Sequence, residues 1–260
     1  MHHLPEIIEY LSRLAPLSLA EEWDNVGLLV GDRQQPVAKV MTCLTLTADV
    51  AREAIENDVQ LIVSHHPVLF RPVQRVTSET PEGRLLLQIM AARIAVYSPH
   101  TGYDSALRGI NQQLAERLEL QEIAPLRPIE TTCGGGRCGM LPRELTLREL
   151  LDCVKQRLGI ASLQFTGDEH RLIHKVAVAC GSAAEFIPDA VQNGCQALLL
   201  GEARFHSLLE AESAGLSLIL AGHYATERPA MELLAMLLGE AFAGLTVWAS
   251  RRECDPLRWA

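Results

Sequence analysis

Short apolar runs alternate along this chain with segments whose apolar residues recur at helical spacing. The helical segments are 4–14, 47–57, 81–93, 106–118 and 147–158, and the apolar runs are 28–30, 40–46, 61–63, 94–98, 136–141 and 162–166. Alternation of strands with helices is typical of the α/β class, in which the sheet is mainly parallel. We therefore predict an α/β fold that contains right-handed βαβ units.

The second half of the chain repeats part of the first half at a constant offset of 136 positions. The identical pairs are Lys39 with Lys175, Val40 with Val176, Ala54 with Ala190, Asn57 with Asn193 and Gln60 with Gln196. The apolar run at 61–63 falls on 197–199 at the same offset. Two copies of one α/β unit are therefore expected. We place lobe one at about 1–125 and lobe two at about 126–222, followed by a segment, 223–260, with a C-terminal helix.

Polar and proline-containing stretches separate several of these elements. Residues 70–80 and 99–105 are predicted to be loops beyond strand ends, and 121–132 is predicted to be a connector because it contains prolines and shows no clear period. The segment from Cys133 to Cys138 encloses three glycines. It fits a glycine-rich turn, and half of a zinc site is the alternative, although a second ligand pair with the usual spacing is missing.

The apolar run at 61–63 leads through Ser64 into two histidines and a proline. Pro67 cannot donate to a sheet and disfavours helix at His66, so the strand is predicted to end here at a loop. Open α/β sheets bind ligands at the carboxyl ends of their strands. Consecutive residues of an extended chain point to opposite sides, so His65 and His66 suit two metal ions better than one. One core histidine beside one surface histidine is the alternative.

Two other predicted strands, 94–98 and 216–222, lead to a histidine that is followed four residues later by an acid. The pairs are His100 with Asp104 and His223 with Glu227. Imidazole together with carboxylate suits Zn, Fe, Mn, Co or Ni, and carboxylates can bridge two such cations. The alternative is that Asp104 caps a helix beginning near Ser105 and that Glu227 belongs to the first turn of another.

The remaining polar candidates favour ordinary structural roles. Asp24-Asn25 fits a turn before a strand, although the pair could also line a site. His170, His174 and His206 are more consistent with surface positions than with metal ligands.

Composition narrows the class of protein. The 260 residues include 23 Lys and Arg against 32 Asp and Glu, a net charge of −9, so charge does not indicate a nucleic-acid partner. Seven scattered cysteines do not form a secreted disulfide framework, and no secretory leader precedes the first helix. No apolar run reaches the ~18 residues of a membrane span. We expect a cytoplasmic protein without a membrane association.

Four segments together resemble the signature segments of the NIF-three-like (NGG-interacting factor) family. They are Trp23-Asp24-Asn25-Val26-Gly27-Leu28, Ser64-His65-His66-Pro67, His100-Thr101-Gly102-Tyr103-Asp104 and Gly222-His223-Tyr224-Ala225-Thr226-Glu227. Gly201-Glu202 followed by Phe205-His206 resembles a further family segment. The resemblance keeps the same order over nearly the whole chain, in the compact form without an inserted domain.

The resemblance implies two similar three-layer α/β lobes with a dinuclear metal site between them. It also implies a toroidal homo-hexamer, a trimer of dimers. Carried over position by position, the metal ligands are His65, His66, Asp104, His223 and Glu227, with Glu227 as the bridge. His100 matches a family histidine of the same pocket and is expected to act in catalysis or behind the ligands.

Two functions follow from these expectations. The first is a metal-dependent hydrolase that binds two divalent cations and uses a metal-activated water on a phosphate- or nucleotide-like small molecule, with His100 moving protons. The second is a non-catalytic ring that binds, delivers or senses a cation. Members of the family carry the name GTP cyclohydrolase 1 type 2 homologue, but the chain contains no Walker-type glycine loop or other nucleotide motif.

Overall fold

The computed structural model describes residues 2–258 and divides the chain into two compact units. Unit 1 comprises Met1–Tyr103 and Arg228–Ala260, and unit 2 comprises Asp104–Glu227. No helix among residues 2–258 is both long and apolar enough to cross a bilayer.

Strands and helices alternate along much of the chain between residues 2 and 258. The strands are β1 His2–His3, β2 Gly27–Val30, β3 Pro36–Val37, β4 Lys39–Cys43, β5 Leu61–Ser64, β6 Ala95–Ser98, β7 Gln121–Pro128, β8 Gly134–Thr146, β9 Gln164–Phe165, β10 Leu172–Val178, β11 Ala197–Leu200, β12 Ser217–Leu220 and β13 Thr246–Ala249. The α-helices are α1 Leu4–Leu14, α2 Ala48–Glu56, α3 Pro81–Ala91, α4 His100–Ser105, α5 Ile110–Arg117, α6 Leu147–Leu158, α7 Ile187–Gln192, α8 Phe205–Ser213 and α9 His223–Ala241. The predicted α/β class is confirmed.

Unit 1 is built on a five-stranded sheet in the order β13-β4-β5-β6-β2. Strands β13, β4, β5 and β6 run parallel, and β2 closes one edge in the antiparallel direction. Every residue of β5 and β6 is buried, as the uninterrupted apolar runs predict for central parallel strands. The carboxyl ends of β5 and β6 therefore lie side by side, where the histidines follow.

Unit 2 is built on a six-stranded sheet in the order β7-β8-β10-β11-β12-β9. Its centre, β10-β11-β12, is parallel, and antiparallel strands flank it on both sides. Thr146 caps the start of helix α6 in a capping box with Glu149, and Gly159, in the left-handed conformation, caps its end.

The internal repeat is visible as matched hydrogen bonds. The Gln60 side chain accepts from the backbone N–H groups of Ala38 and Lys39, and the Gln196 side chain accepts from those of His174 and Lys175. Each lysine then donates from Nζ to a carbonyl 2.7 Å away, Lys39 to Asn57 and Lys175 to Asn193. Three of the five identical pairs, those of the lysine, the asparagine and the glutamine, therefore join the first strand of each copy to the helix and strand after it.

Two segments that the sequence assigned to loops are regular elements. Residues 100–105 form the short helix α4, and the predicted helix over 106–118 is reduced to α5 because the chain turns before Ile110. The predicted connector contains β7, which pairs only with β8 and so forms an edge of the sheet. Pro125 and Pro128 are tolerated because an edge strand does not need every N–H group for pairing.

The glycine-rich segment after Cys133 was also misread, because Gly134–Cys138 belongs to β8 rather than to a turn. A Cβ atom at Gly135 would approach the Phe186 ring to 2.5 Å, so the absence of side chains lets that ring pack on the strand. The seven cysteines are all free thiols.

Unit 2 begins earlier than the boundary near residue 125 that we placed from the sequence. Arg137, only 1% exposed, donates to the carbonyls of Gly134 and Gly136 on its own strand. It also donates to the carbonyls of Ser105 and Ala106 and to the side chain of Gln112. These bonds fix the segment before and within α5 to β8, which explains why it belongs to unit 2.

The buried Arg137 guanidinium gives a stability prediction. Replacement by Met is expected to reduce the free energy of unfolding by at least about 3 kcal/mol. The reason is that the buried carbonyls that accept hydrogen bonds from the wild-type guanidinium would lose their charged donor. Urea denaturation followed by circular dichroism measures the change. Arg108→Met, at an exposed position of the same unit, is the control and should change the value by less than about 0.5 kcal/mol. Equal stability of the two variants would contradict this role.

Candidate metal centre

The two histidines after β5 are held by the neighbouring strands. The N–H groups of His65 and His66 donate to the carbonyls of Cys43 and Leu44, which extends the pairing of β5 with β4 by two residues. The Ser98 hydroxyl donates to the His65 carbonyl at 2.6 Å. His65 is fully buried, and Nδ1 of the partly exposed His66 lies 2.7 Å from the Thr45 hydroxyl. The backbone of both histidines and the His66 ring are therefore held by the protein itself.

His100 joins this pair from the next strand end. Its ring centroid lies 5.2 Å from that of His65 and 5.7 Å from that of His66. One donor nitrogen from each of the three rings can be chosen so that all lie within 4.8 Å of one another. His100 has a φ of 27°, an unfavourable value for a residue with a side chain, and such strain is often found at functional sites.

A buried carboxylate orients His100. Asp24 Oδ1 lies 2.7 Å from His100 Nδ1, and the Asp24 side chain is fully buried. Thr101 donates to the other oxygen from its backbone N–H at 3.1 Å and from its hydroxyl at 2.5 Å. A neutral His100 that donates from Nδ1 to Asp24 carries its lone pair on Nε2, which is the atom required for a metal or a proton.

The pKa of Asp24 shows that these bonds outweigh burial. Burial alone would raise the pKa of this carboxyl, but the hydrogen bonds from His100 and Thr101 lower it to about 2. Asp24 is therefore a permanent anion behind His100 at neutral pH.

Unit 2 contains a second imidazole held in the same manner. His223 begins α9, and its Nδ1 lies 3.0 Å from Glu202 Oε1. Its Nε2 lies 3.0 Å from Glu227 Oε2, one helical turn further along α9. The hydrogen bond with Glu227 is the largest cause that raises the pKa of His223 to about 9, and Glu202 contributes further. A cation binding at Nε2 would have to displace that proton.

Asp104 and Glu227 approach the loop that follows β10. The Cys180 thiol donates to Asp104 Oδ1 at 3.2 Å, and burial followed by the nearby Asp104 and Glu227 charges raises the pKa of this thiol. The next residue, Gly181, has a φ of 64°, and a Cβ atom there would approach Glu227 Oε1 to 2.1 Å. Glycine at this position therefore leaves room for the Glu227 carboxylate.

The donors of both units fit divalent cations. Three imidazoles are clustered in unit 1, and an imidazole with two carboxylates surrounds the Cys180-Gly181 loop in unit 2. In each unit one imidazole has its Nδ1 fixed by a carboxylate, which is the usual arrangement behind a metal-binding histidine. Nitrogen and oxygen donors of this kind suit Zn, Fe, Mn, Co or Ni.

Every site residue predicted from the sequence lies in one of these two groups. His65, His66 and His100 lie together in unit 1, and Asp104, His223 and Glu227 lie in unit 2. The alternative cap for Asp104 does not apply, because this residue lies inside α4 rather than before it. The surface positions predicted for His170, His174 and His206 are confirmed, because all three are exposed.

The sequence did not reveal the carboxylates that hold the Nδ1 atoms of His100 and His223. Asp24 was interpreted as part of a turn, because its partners His100 and Thr101 lie 76 and 77 positions away. Glu202 appeared only within a segment that resembles the family, and no role was assigned to it. The family-like segments that contain Asp24 and Glu202 were the available signals.

Comparison with known proteins identifies the family. A family model described as Duf34/NIF3 (NGG1p interacting factor 3) matches residues 2–256. The chain belongs to the Duf34/NIF3 family. A Clostridium acetobutylicum protein named GTP cyclohydrolase 1 type 2 homolog is 34% identical over 261 residues, covering 98% of this chain and 97% of the relative. A Clostridium perfringens protein with the same name is 34% identical over 230 residues, covering 88% of each chain.

The fold agrees with this membership. A crystal structure of a Bacillus cereus protein related to NIF3 superposes with a TM-score of 0.94, covering 100% of this chain and 99% of the other. The sequence identity in that comparison is 22%, so it establishes the fold alone. The NIF3 resemblance inferred from the signature segments is confirmed.

The lowered pKa of Asp24 gives a prediction for metal-free protein. Asp24→Asn should lower the free energy of unfolding by about 2 kcal/mol at pH 7, because the contacts of the native state stabilise the ionised Asp24 carboxylate. A carboxyl whose pKa is lowered on folding stabilises the native state above its unfolded pKa, and that stability is lost as the pH falls through the folded value. The difference from wild type should therefore shrink between pH 3.8 and about 2.

Urea denaturation of chelator-treated protein at a series of pH values measures this difference. Glu22→Gln, an exposed carboxylate of the same loop, is the matched control and should follow wild type throughout. A destabilisation by Asp24→Asn that is the same at pH 7 and at pH 2 would contradict the charge-based explanation.

Proposed function

We propose that the chain is a metal-dependent hydrolase acting on a phosphate- or nucleotide-like small molecule. Two divalent cations would be held by His65, His66, Asp104, His223 and Glu227, with Glu227 as the bridging carboxylate. This assignment combines the donors of both units and rests on the family resemblance together with the chemistry of the two groups.

The observation that carries the proposal is the preorganisation of the imidazoles. The three rings of unit 1 present donor nitrogens within 4.8 Å of one another, and His65 is fully buried among them. A purely structural role would not require convergence of titratable groups, since buried polar groups cost free energy unless they are compensated. A metal site needs ligands whose orientation is fixed in advance by further hydrogen bonds.

Bound cations would supply Lewis-acid polarisation of a phosphate or carbonyl oxygen and would lower the pKa of water. The protein contributes orientation and proton transfer. His100 is the proton carrier in this proposal, because Asp24 holds its Nδ1 at 2.7 Å and leaves Nε2 available. The Thr45 hydroxyl, 2.7 Å from His66 Nδ1, fixes the orientation of the His66 ring.

Three further expectations remain part of the proposal. A toroidal homo-hexamer built as a trimer of dimers is expected from the family, and a monomer in light scattering would contradict it. A cytoplasmic location is expected from the free thiols. The GTP cyclohydrolase activity in the relatives' names belongs to those proteins, and for this chain GTP is one substrate to test among others.

Separating ligands from the proton carrier tests the proposal. Protein purified without chelator should contain divalent metal, and His65→Ala and Glu227→Ala should lose most of it. His100→Ala should keep its metal close to the wild-type value while hydrolysis falls about 10²–10⁴-fold, the usual contribution of general acid–base catalysis. Elemental analysis and a panel of phosphomonoesters, phosphodiesters and GTP measure the two quantities.

His174→Ala, at an exposed histidine of β10, is the matched control and should change neither quantity. Parallel loss of metal and activity in His100→Ala would make His100 a ligand and contradict its assignment as proton carrier. Stoichiometric metal with no turnover on any member of the panel would favour the non-catalytic binding or delivery function instead.

A further inference from the structure

The rim beside the three histidines of unit 1 carries two exposed aromatic rings. Trp23 is 59% exposed and Phe70 is 49% exposed. Their ring centroids lie 5.9 Å apart, and each lies 6.2 Å from the His100 ring. The three rings thus form a nearly equilateral triangle, of which His100 is the corner that also touches His65 and His66.

The exposure of these rings is imposed by the residues next to them. Asp24, directly after Trp23, is bound to His100 and Thr101. Asn25 donates from Nδ2 to the carbonyl of Leu69 at 2.6 Å, directly before Phe70. Two hydrogen-bonded neighbours therefore fix the Trp23 loop against both the His100 turn and the Phe70 loop.

The orientation of the rings leaves aromatic faces free. The interplanar angles are 71° between Trp23 and Phe70, 77° between Trp23 and His100, and 88° between Phe70 and His100. Edge-to-face contacts use at most one face of each ring, and the high exposure shows that other faces remain open to solvent. Large exposed aromatic surface held beside a polar cluster is characteristic of ligand recognition.

We propose that Trp23 and Phe70 form a platform on which the planar aromatic ring of the substrate stacks, while an anionic oxygen substituent of that ring reaches the His65-His66-His100 cluster. This inference rests on the proposed metal centre and narrows its substrate to phosphate-like molecules that carry a flat ring. Stacking on an aromatic side chain tolerates different ring systems, because it depends on the π face rather than on a hydrogen-bond pattern. The platform therefore selects the ring class and leaves the choice within that class to other contacts.

Two phosphonates that differ only in the ring test the platform. Phenylphosphonate and methylphosphonate carry the same anionic group, and neither is cleaved by hydrolysis of an ester. Isothermal titration of manganese-loaded protein should show phenylphosphonate binding about tenfold more tightly than methylphosphonate, the ratio expected for one aromatic stacking contact. Trp23→Ala should bring that ratio close to one without changing the manganese content, and Trp23→Phe should preserve most of it.

Met90→Ala provides the matched control. Met90 is 55% exposed on α3 of the same unit and lines a cavity at the opposite ends of the strands, with Gln60 and Ile94. Its replacement should leave the phosphonate ratio unchanged. Elemental analysis of each variant shows whether a change in the ratio of the two phosphonate affinities is caused by loss of manganese.

The outcomes separate the platform from the metal centre. If manganese binds and both phosphonates bind equally to wild type, the platform is overturned and the metal centre stands. If the protein takes up no manganese and binds neither phosphonate, both proposals fail. If Trp23→Ala changes the oligomeric state in light scattering, the aromatic pair is an interface between copies of the chain, which also overturns the platform.

Discussion

The pairing of β5 with β4 and β6 is the constraint on which the unit 1 site depends. Parallel pairing brings the carboxyl ends of these strands side by side, so His65 and His66 after β5 lie next to His100 after β6. The N–H groups of both histidines continue the ladder to β4, which fixes the backbone beneath the rings. A shift of β5 by one residue would reverse the direction of both side chains and separate them from His100. The sheet thus supplies the precision that loops alone would not.

The same α/β module has been used twice with different chemistry at its strand ends. The scaffold contacts made by Gln60 and Lys39 recur at Gln196 and Lys175, whereas the positions of His65 and His66 are held by Gly201 and Glu202. Gly201 has no room for a side chain, since a Cβ atom would approach the Gly181 carbonyl to 2.6 Å. Glu202 instead orients His223 from behind. The second copy has therefore replaced direct donors with a supporting carboxylate while keeping its framework.

The sequence predicted those features that depend on local pattern. Helices α1, α2 and α6 follow from apolar spacing and capping residues, and β5 follows from an apolar run ended by a proline. Strand β7 was missed because it contains prolines, which a strand tolerates only at the edge of a sheet. That β7 lies at an edge is known only from the fold. Asp24 was missed because its function depends on contacts with residues far along the chain. The residues that could donate to a metal were thus predicted from sequence motifs, whereas the carboxylates that orient them were recognised only in the folded structure.

Anomalous X-ray scattering from crystals of the manganese-loaded protein tests the central claim most directly, because it locates the cations and their ligands at once. The account predicts two peaks for each chain, about 3.5–4 Å apart, the separation typical of two-metal sites. His65, His66, Asp104, His223 and Glu227 should coordinate them, with Glu227 between the two. Absence of anomalous density at these residues, or a single peak bound only by the three histidines of unit 1, would contradict the account.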